Sequence, residues 1–231
     1  MIETFDLNKK YNGQEALDLP SLKINRGESF GLVGNNGAGK TTFFRLILDL
    51  IRPSNGRAEI EGQNVAHSDH WKKFTGSYLD DNFLIDFLTP EEYFEFIANV
   101  YKRSKGDLEN FYADFETFFA GEVLGKNKYI RDLSRGNQQK VGIASALLSK
   151  PDLLILDEPF NGLDPSTQIR LIKLLNDLKA TSDITMLISS HDLKHVTDIC
   201  ERIVVLNEGR VYKDIIRSEN TMRELEEYFA A

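Results

Sequence analysis

The densest chemical signal in the sequence is Gly34-Asn-Asn-Gly-Ala-Gly39-Lys40-Thr41, which fits the pattern G-x-x-x-x-G-K-[ST] between an apolar run and an amphipathic stretch. Glycines let a backbone bend around an oxyanion, and the N-terminal end of the following helix adds a positive partial charge. The backbone N–H groups of Asn36, Gly37, Ala38 and Gly39 are therefore expected around a phosphate, with Lys40 reaching the β- and γ-phosphates of a nucleotide. The Thr41 hydroxyl is expected on a magnesium ion and Thr42 on another phosphate oxygen. Leu153-Leu-Ile-Leu-Asp157-Glu158 delivers two carboxylates from the end of a buried strand, where open α/β sheets place their ligands. Their roles should differ: Asp157 holds the metal, and Glu158 orients and deprotonates an attacking water.

Such groups need a rigid frame. Short apolar runs bounded by turn residues predict strands over 2–7, 17–24, 29–33, 152–156, 184–189 and 202–206. The last three alternate with helical patterns such as Ile169, Ile172, Leu175 and Leu178, which implies a largely parallel sheet covered by helices. The middle of the chain differs. Nine of the fifteen phenylalanines fall between Phe74 and Phe119, and Leu108, Phe111, Tyr112, Phe115, Phe118 and Phe119 recur at helical spacing. These aromatics are expected to form a small core of their own inside a helical insert, with some left as an exposed docking patch. One α/β unit results, with an α/β core over 1–82 and 151–231 and a helical part over 83–150. A final helix over 218–229 carries Thr221 and Glu224 at capping-box spacing.

Composition narrows the setting. A formal net charge of −8, from 28 basic and 36 acidic residues, disfavours nucleic acid as a partner. A single cysteine, Cys200, excludes an internal disulfide framework. The start MIETFDLNKK lacks the basic and apolar segments of a signal peptide, and no run approaches the roughly 20 apolar residues of a membrane span. A cytoplasmic chain is expected.

Leu133-Ser134-Arg135-Gly136-Asn137-Gln138-Gln139-Lys140 lies between the two motifs, and with it nearly the whole chain resembles the ATP-binding cassette (ABC) family of transport ATPases. Read alone, the octapeptide is a helix start with Ser134 as N-cap, able to present donors from Ser134 and Gly136 to an anion. The resemblance implies that this anion is the γ-phosphate of ATP held by another subunit. It also implies a P-loop NTPase (RecA-like) core with an antiparallel N-terminal β region and a helical insert. Tyr11 is then expected to stack on adenine, and His191 to contact the γ-phosphate and the attacking water. Asn161-Gly-Leu-Asp164-Pro165 resembles the loop that crosses the dimer interface, and Asp164 followed by Pro165 also reads as an N-cap and first helical turn. Both readings are compatible.

Where the family usually carries a metal-contacting glutamine, this chain reads Ser77-Tyr-Leu-Asp80-Asp81-Asn82, and Asp81 is the positional equivalent. A carboxylate can meet magnesium through a water but cannot donate as an amide does. Arg135 and Asn137 replace the family's usual glycine and glutamine, and Asn35 its frequent proline. His191 and His195 are four apart, yet no metal-site pattern accompanies them. The implied activity is ATP hydrolysis with ATP and magnesium, in a homodimer or heterodimer closing head to tail around two ATP. A separate transmembrane permease would hold the dimer at the inner face of the cell membrane. The short length and the signature variant resemble exporter-type cassettes. Two alternatives stand beside this reading: a cassette ATPase acting on a ribosome or DNA, and a regulatory nucleotide-binding module with little turnover.

Overall fold

The computed structural model describes residues 1–230, with the side chains of Asp81, Tyr228 and Ala230 outside the description. Strands β1 (Ile2–Tyr11) and β2 (Gln14–Ile24) pair antiparallel. Asn12 and Gly13 close their hairpin with φ of 50° and 83°. Asn-Gly supplies the positive φ at both positions that a two-residue turn matching the strand twist requires. β3 (Ser29–Val33) leads through the phosphate loop into α1 (Lys40–Ile47), followed by β4 (Asn55–Ile60), β5 (Gln63–Asn64) and β6 (Thr75–Tyr78). Three helices come next: α2 (Pro90–Val100), α3 (Lys105–Phe119) and α4 (Arg135–Leu148). The chain then alternates through β7 (Leu153–Leu156), α5 (Pro165–Thr181), β8 (Thr185–Ser190), α6 (Leu193–Ile199), β9 (Arg202–Asn207), β10 (Arg210–Ile216) and α7 (Thr221–Ala230).

Two sheets result. The smaller is antiparallel, in the order β2-β1-β4-β5, and the larger runs β10-β9-β3-β8-β7-β6. Within the larger sheet every pairing is parallel except β9 with β10. Strand β7 shows how the layers are held. All four of its residues are buried, and because successive side chains alternate faces, Leu153 and Ile155 enter one core while Leu154 and Leu156 enter the other. The first core also contains Phe43 and Phe44 of α1 and the inner face of the antiparallel sheet. The second is covered by the remaining helices.

The structure corrects two expectations. The phenylalanines of the middle segment do not form a core of their own. Phe94, Phe111, Phe115, Phe118 and Phe119 join Leu154, Leu156 and Ile188 in one continuous cluster. Helix α4 makes the bridge: one side packs against α2 and α3, while another lies on β6 and β7. Thr221 is not an N-cap either; it is the first residue of α7, and its hydroxyl accepts from Ser218 N–H at 2.8 Å. Capping boxes do start α2, at Thr89 with Glu92, and α3, at Ser104 with Asp107. Among the described residues, no helix is long and apolar enough to cross a membrane.

Phe94 is fully buried, with its ring 5.2 Å from Phe111 and 5.8 Å from Phe119. Phe94→Ala should cost roughly 3–5 kcal/mol of stability. Because the cluster continues onto the sheet, urea unfolding followed by Trp71 fluorescence should shift together with that followed by circular dichroism. Two separated transitions would contradict the shared core.

Candidate active site

The phosphate loop joins β3 to α1. Gly39 caps the helix with φ 107°, and a Cβ there would lie 2.8 Å from the Ala16 carbonyl oxygen, so glycine is required twice over. Asn36 and Gly37 are exposed, Ala38 N–H donates to Asn35 O at 3.0 Å, and Thr41 and Thr42 are half-buried at the start of α1. Lys40 turns back over the loop. Its buried Nζ donates to Gly34 O at 2.6 Å and lies 3.1 Å from Glu158 Oε1. The lysine thereby links the loop to the carboxylates at the end of β7.

Those carboxylates sit in different surroundings. Asp157 is 5% exposed. Its Oδ2 accepts from Thr41 Oγ1 at 2.5 Å, and its Oδ1 accepts from Ser189 Oγ. Burial pushes the Asp157 carboxyl above its ordinary range, opposed by the two hydroxyl bonds. Glu158 has φ 48°, a left-handed backbone that costs energy in a non-glycine residue. Two bonds hold its backbone: Glu158 N–H donates to Ser189 Oγ at 2.8 Å, and Gln139 Nε2 donates to Glu158 O at 3.3 Å. Tyr78 in turn donates its hydroxyl proton to Gln139 Oε1 at 3.0 Å. Glu158 Oε2 accepts from His191 N–H at 3.2 Å and lies 2.9 Å from His191 Nδ1.

Lys40, Thr41, Asp157, Glu158 and His191 thus form one bonded chain at the C-terminal end of the parallel strands. Ser134 is exposed and caps α4 by accepting from Asn137 N–H at 3.3 Å. A Cβ on Gly136 would meet the Gly162 carbonyl oxygen at 3.0 Å, so the start of α4 abuts the 161–164 loop. No hydrogen bond or ion pair among the described residues ties Ser134 to the phosphate loop. Tyr11 ends β1, 44% exposed, with Lys9 Nζ 5.0 Å from its ring centre. The Asp81 side chain falls outside the described residues, while its neighbour Asp80 pairs with Arg45 at 3.3 Å. Asp164 caps α5 through Ser166 N–H and Thr167 N–H, and those bonds with the Ser166 and Thr167 hydroxyls hold its carboxyl far below the usual range.

Sequence reasoning missed Ser189 and Gln139. Ser189 follows the apolar run Met186 to Ile188 in β8, so a hydroxyl one strand from an Asp-Glu pair was the available signal. In the sequence Gln139 is only part of the Leu133 to Lys140 helix start, with no role of its own. The set fits a magnesium ion. The Thr41 hydroxyl and Asp157 carboxylate present adjacent hard oxygens, and an ion that keeps several waters needs few protein ligands. Glu158 Oε1 is buried without a hydrogen-bond partner among the described residues, its contact with Lys40 being an ion pair only. A buried acceptor left open in this way suits a water that must be held for attack.

Residues 17–161 match a family described as ABC transporter. The chain is 34% identical to an uncharacterized ABC transporter ATP-binding protein of Nostoc sp., over 96% of this chain and 69% of the relative. It is also 34% identical to the bacitracin transport ATP-binding protein BcrA of Bacillus licheniformis, over 93% of this chain and 69% of that protein. It therefore spans little more than two thirds of these relatives' length. Among solved structures it is similar to a dimeric ATP-binding cassette in a post-hydrolysis state bound to ADP and Pi. The TM-score is 0.83 at 26% identity, covering 94% of this chain and 100% of the other.

The raised Asp157 carboxyl has a consequence for stability. The folded protein holds this proton more tightly than the unfolded chain, so the ionised form near neutral pH destabilises the fold, and that cost fades as pH falls below the folded value. Asp157→Asn should therefore raise the thermal midpoint of the nucleotide-free protein at pH 7.5 by a few degrees, with a smaller difference in acid. Scanning calorimetry at two pH values checks it, and an unchanged or lowered midpoint at pH 7.5 would refute it.

Proposed function

The chain belongs to the ABC transporter family and is an ATP-binding ATPase cassette, and on that premise we propose that it works as half of a head-to-tail dimer enclosing two ATP. The bonded chain from Lys40 to His191 carries this reading. Lys40 exchanges Glu158 and Gly34 O for the β- and γ-phosphates of ATP, which frees Glu158 to orient and deprotonate water, while His191 steadies Glu158 and the γ-phosphate. A magnesium ion held by the oxygens of Thr41 and Asp157, and by Asp81 as the family resemblance implies, would neutralise phosphate charge. Backbone N–H groups of residues 36–42 cradle the phosphates, and Tyr11 stacks on the base. Gly136 sits against Gly162 and Ser134 makes no hydrogen bond or ion pair with this set among the described residues, which supports their completing the site of a second copy or a similar chain. ATP adds contacts that ADP cannot, so hydrolysis favours opening.

The division into an α/β core over 1–82 and 151–231 and a helical part over 83–150 gives the stroke two parts to move. Its readout is a groove of about 320 Å³ between them, lined by Leu50, Trp71, Leu79, Phe83, Tyr93 and Tyr101. Leu50 and Phe83 are 47% and 51% exposed. Apolar surface of this kind suits a cytoplasmic segment of a separate transmembrane permease, which would hold the dimer at the inner face of the membrane. Similarity to a bacitracin transport protein supports transport, and export is the direction we propose from the signature variant.

Glu158→Gln should bind ATP, form a dimer stable to gel filtration, and hydrolyse at least about 100-fold more slowly than the parent. Turnover at the parental rate would remove Glu158 as base. Phe83→Glu should leave ATP hydrolysis by the isolated chain within about twofold, since it lies outside the bonded chain, yet release the protein from the membrane fraction of its own cells. Retention there would move the docking surface elsewhere.

A further inference from the structure

His195 belongs to the first turn of α6, four residues beyond His191, and its ring lies flat on Phe160, with centroids 4.1 Å apart and planes 22° apart. Phe160 is 3% exposed, and the His195 side chain 12%. The imidazole makes little use of its polarity here. Nδ1 is buried without a hydrogen-bond partner among the described residues, and Asp192 Oδ2 stands 3.8 Å away, outside hydrogen-bonding reach. Burial pushes the His195 pKa down, with Asp192 and Asp198 opposing and His191 and Lys194 assisting, so the ring is held as a neutral aromatic.

Phe160 occupies the junction between the general base and the 161–164 loop. Asn161 N–H donates to Glu158 O at 3.1 Å, Leu163 N–H donates to Phe160 O at 3.3 Å, and Gln168 Nε2 donates to the same oxygen at 3.3 Å. On the other side, α6 is capped by Asp192, immediately after His191, through a 2.9 Å bond from Lys194 N–H. Besides the Ser189 hydroxyl, which accepts from Glu158 N–H at 2.8 Å, two further ties connect the Glu158 segment to the His191 segment. One is polar, from His191 to Glu158, and must rearrange when phosphate and water arrive. The other is the stack, which involves no group that meets the nucleotide.

We propose that the stack of His195 on Phe160 is a positioning contact for ATP hydrolysis, coupling the 161–164 loop to His191 so that the two move as one body. Seating that loop against a second subunit then sets His191 and Glu158 in reacting geometry, and a dimer that forms without the stack closes with its catalytic groups loosely placed. This role rests on the dimeric reading above.

Steady-state ATP hydrolysis by the full chain tests it, comparing the parent with His195→Ala, His195→Phe and Phe160→Leu. Loss of the stack in His195→Ala should lower kcat by roughly tenfold to a hundredfold, because small misplacements of catalytic groups act on the chemical step, with KM for ATP within about twofold of the parent. Phe160→Leu keeps apolar volume and should show the same split. His195→Phe restores two aromatic faces and should recover kcat to within about twofold of the parent. In a Glu158→Gln background, His195→Ala should still form the ATP-bound dimer. The proposal is overturned by parental kcat in His195→Ala, by His195→Phe as slow as His195→Ala, or by a defect confined to KM. A parent that hydrolyses no ATP overturns the functional reading itself, and the positioning role with it.

Discussion

The buried carboxylate of Asp157 constrains everything around it. A charge that is 5% exposed is stable only where hydrogen bonds replace water, and here two hydroxyls do so from opposite sides. Thr41 fixes the start of α1 against the end of β7, and Ser189 fixes the end of β8 against the same group. Because Ser189 also accepts from Glu158 N–H, the left-handed backbone of Glu158 is held by the contact that satisfies Asp157. The site is therefore a set of mutual obligations across three elements. The even burial of β7 makes it possible, since a strand packed on both faces cannot shift to relieve the charge at its end.

Helix α4 extends this constraint outward. Its first turn lies against Gly162, its Gln139 holds the Glu158 carbonyl, and further along the helix the aromatic cluster of α2 and α3 is joined to the sheet. A tilt of that layer must be felt at Glu158, because a close-packed core transmits displacement instead of absorbing it. Lys40 supplies the opposing element. Its charge is answered by Glu158 and the loop carbonyl, so the loop lysine and the strand-end carboxylate occupy each other.

Much of this was legible beforehand because it depends on local chemistry. The Gly34 to Thr41 spacing and the Leu153 to Glu158 run each specify a backbone path within a few residues. Six strands were placed to within a few residues because alternating or continuous burial leaves a strong pattern, whereas β4, β5, β6 and β10 were not among them. Ser189 and Gln139 escaped notice because their significance lies in what stands opposite them, one strand over or one helix away. The aromatic segment misled for the same reason. A helical stripe of phenylalanines shows that a face is buried, but not against which partner, and α4 bridged two groups that looked separate. Thr221 carried the spacing of a cap yet became the first helical residue, since Ser218 N–H offered its hydroxyl a partner outside the helix.

The sequence by itself determined the chemistry available: a phosphate loop, two carboxylates at a strand end, a histidine after a later strand, and a helix start able to face an anion. These follow from residue type and short spacing, which act through the backbone within one or two turns. Only the tertiary structure decided which of these groups share a site. Lys40, Thr41, Asp157, Glu158 and His191 lie together because the ends of β3, β7 and β8 are adjacent in one parallel sheet. Gly136 meets Gly162 instead, because α4 starts on the flank occupied by the 161–164 loop. Side-chain contacts between distant segments are set by packing, and packing is a property of the whole chain.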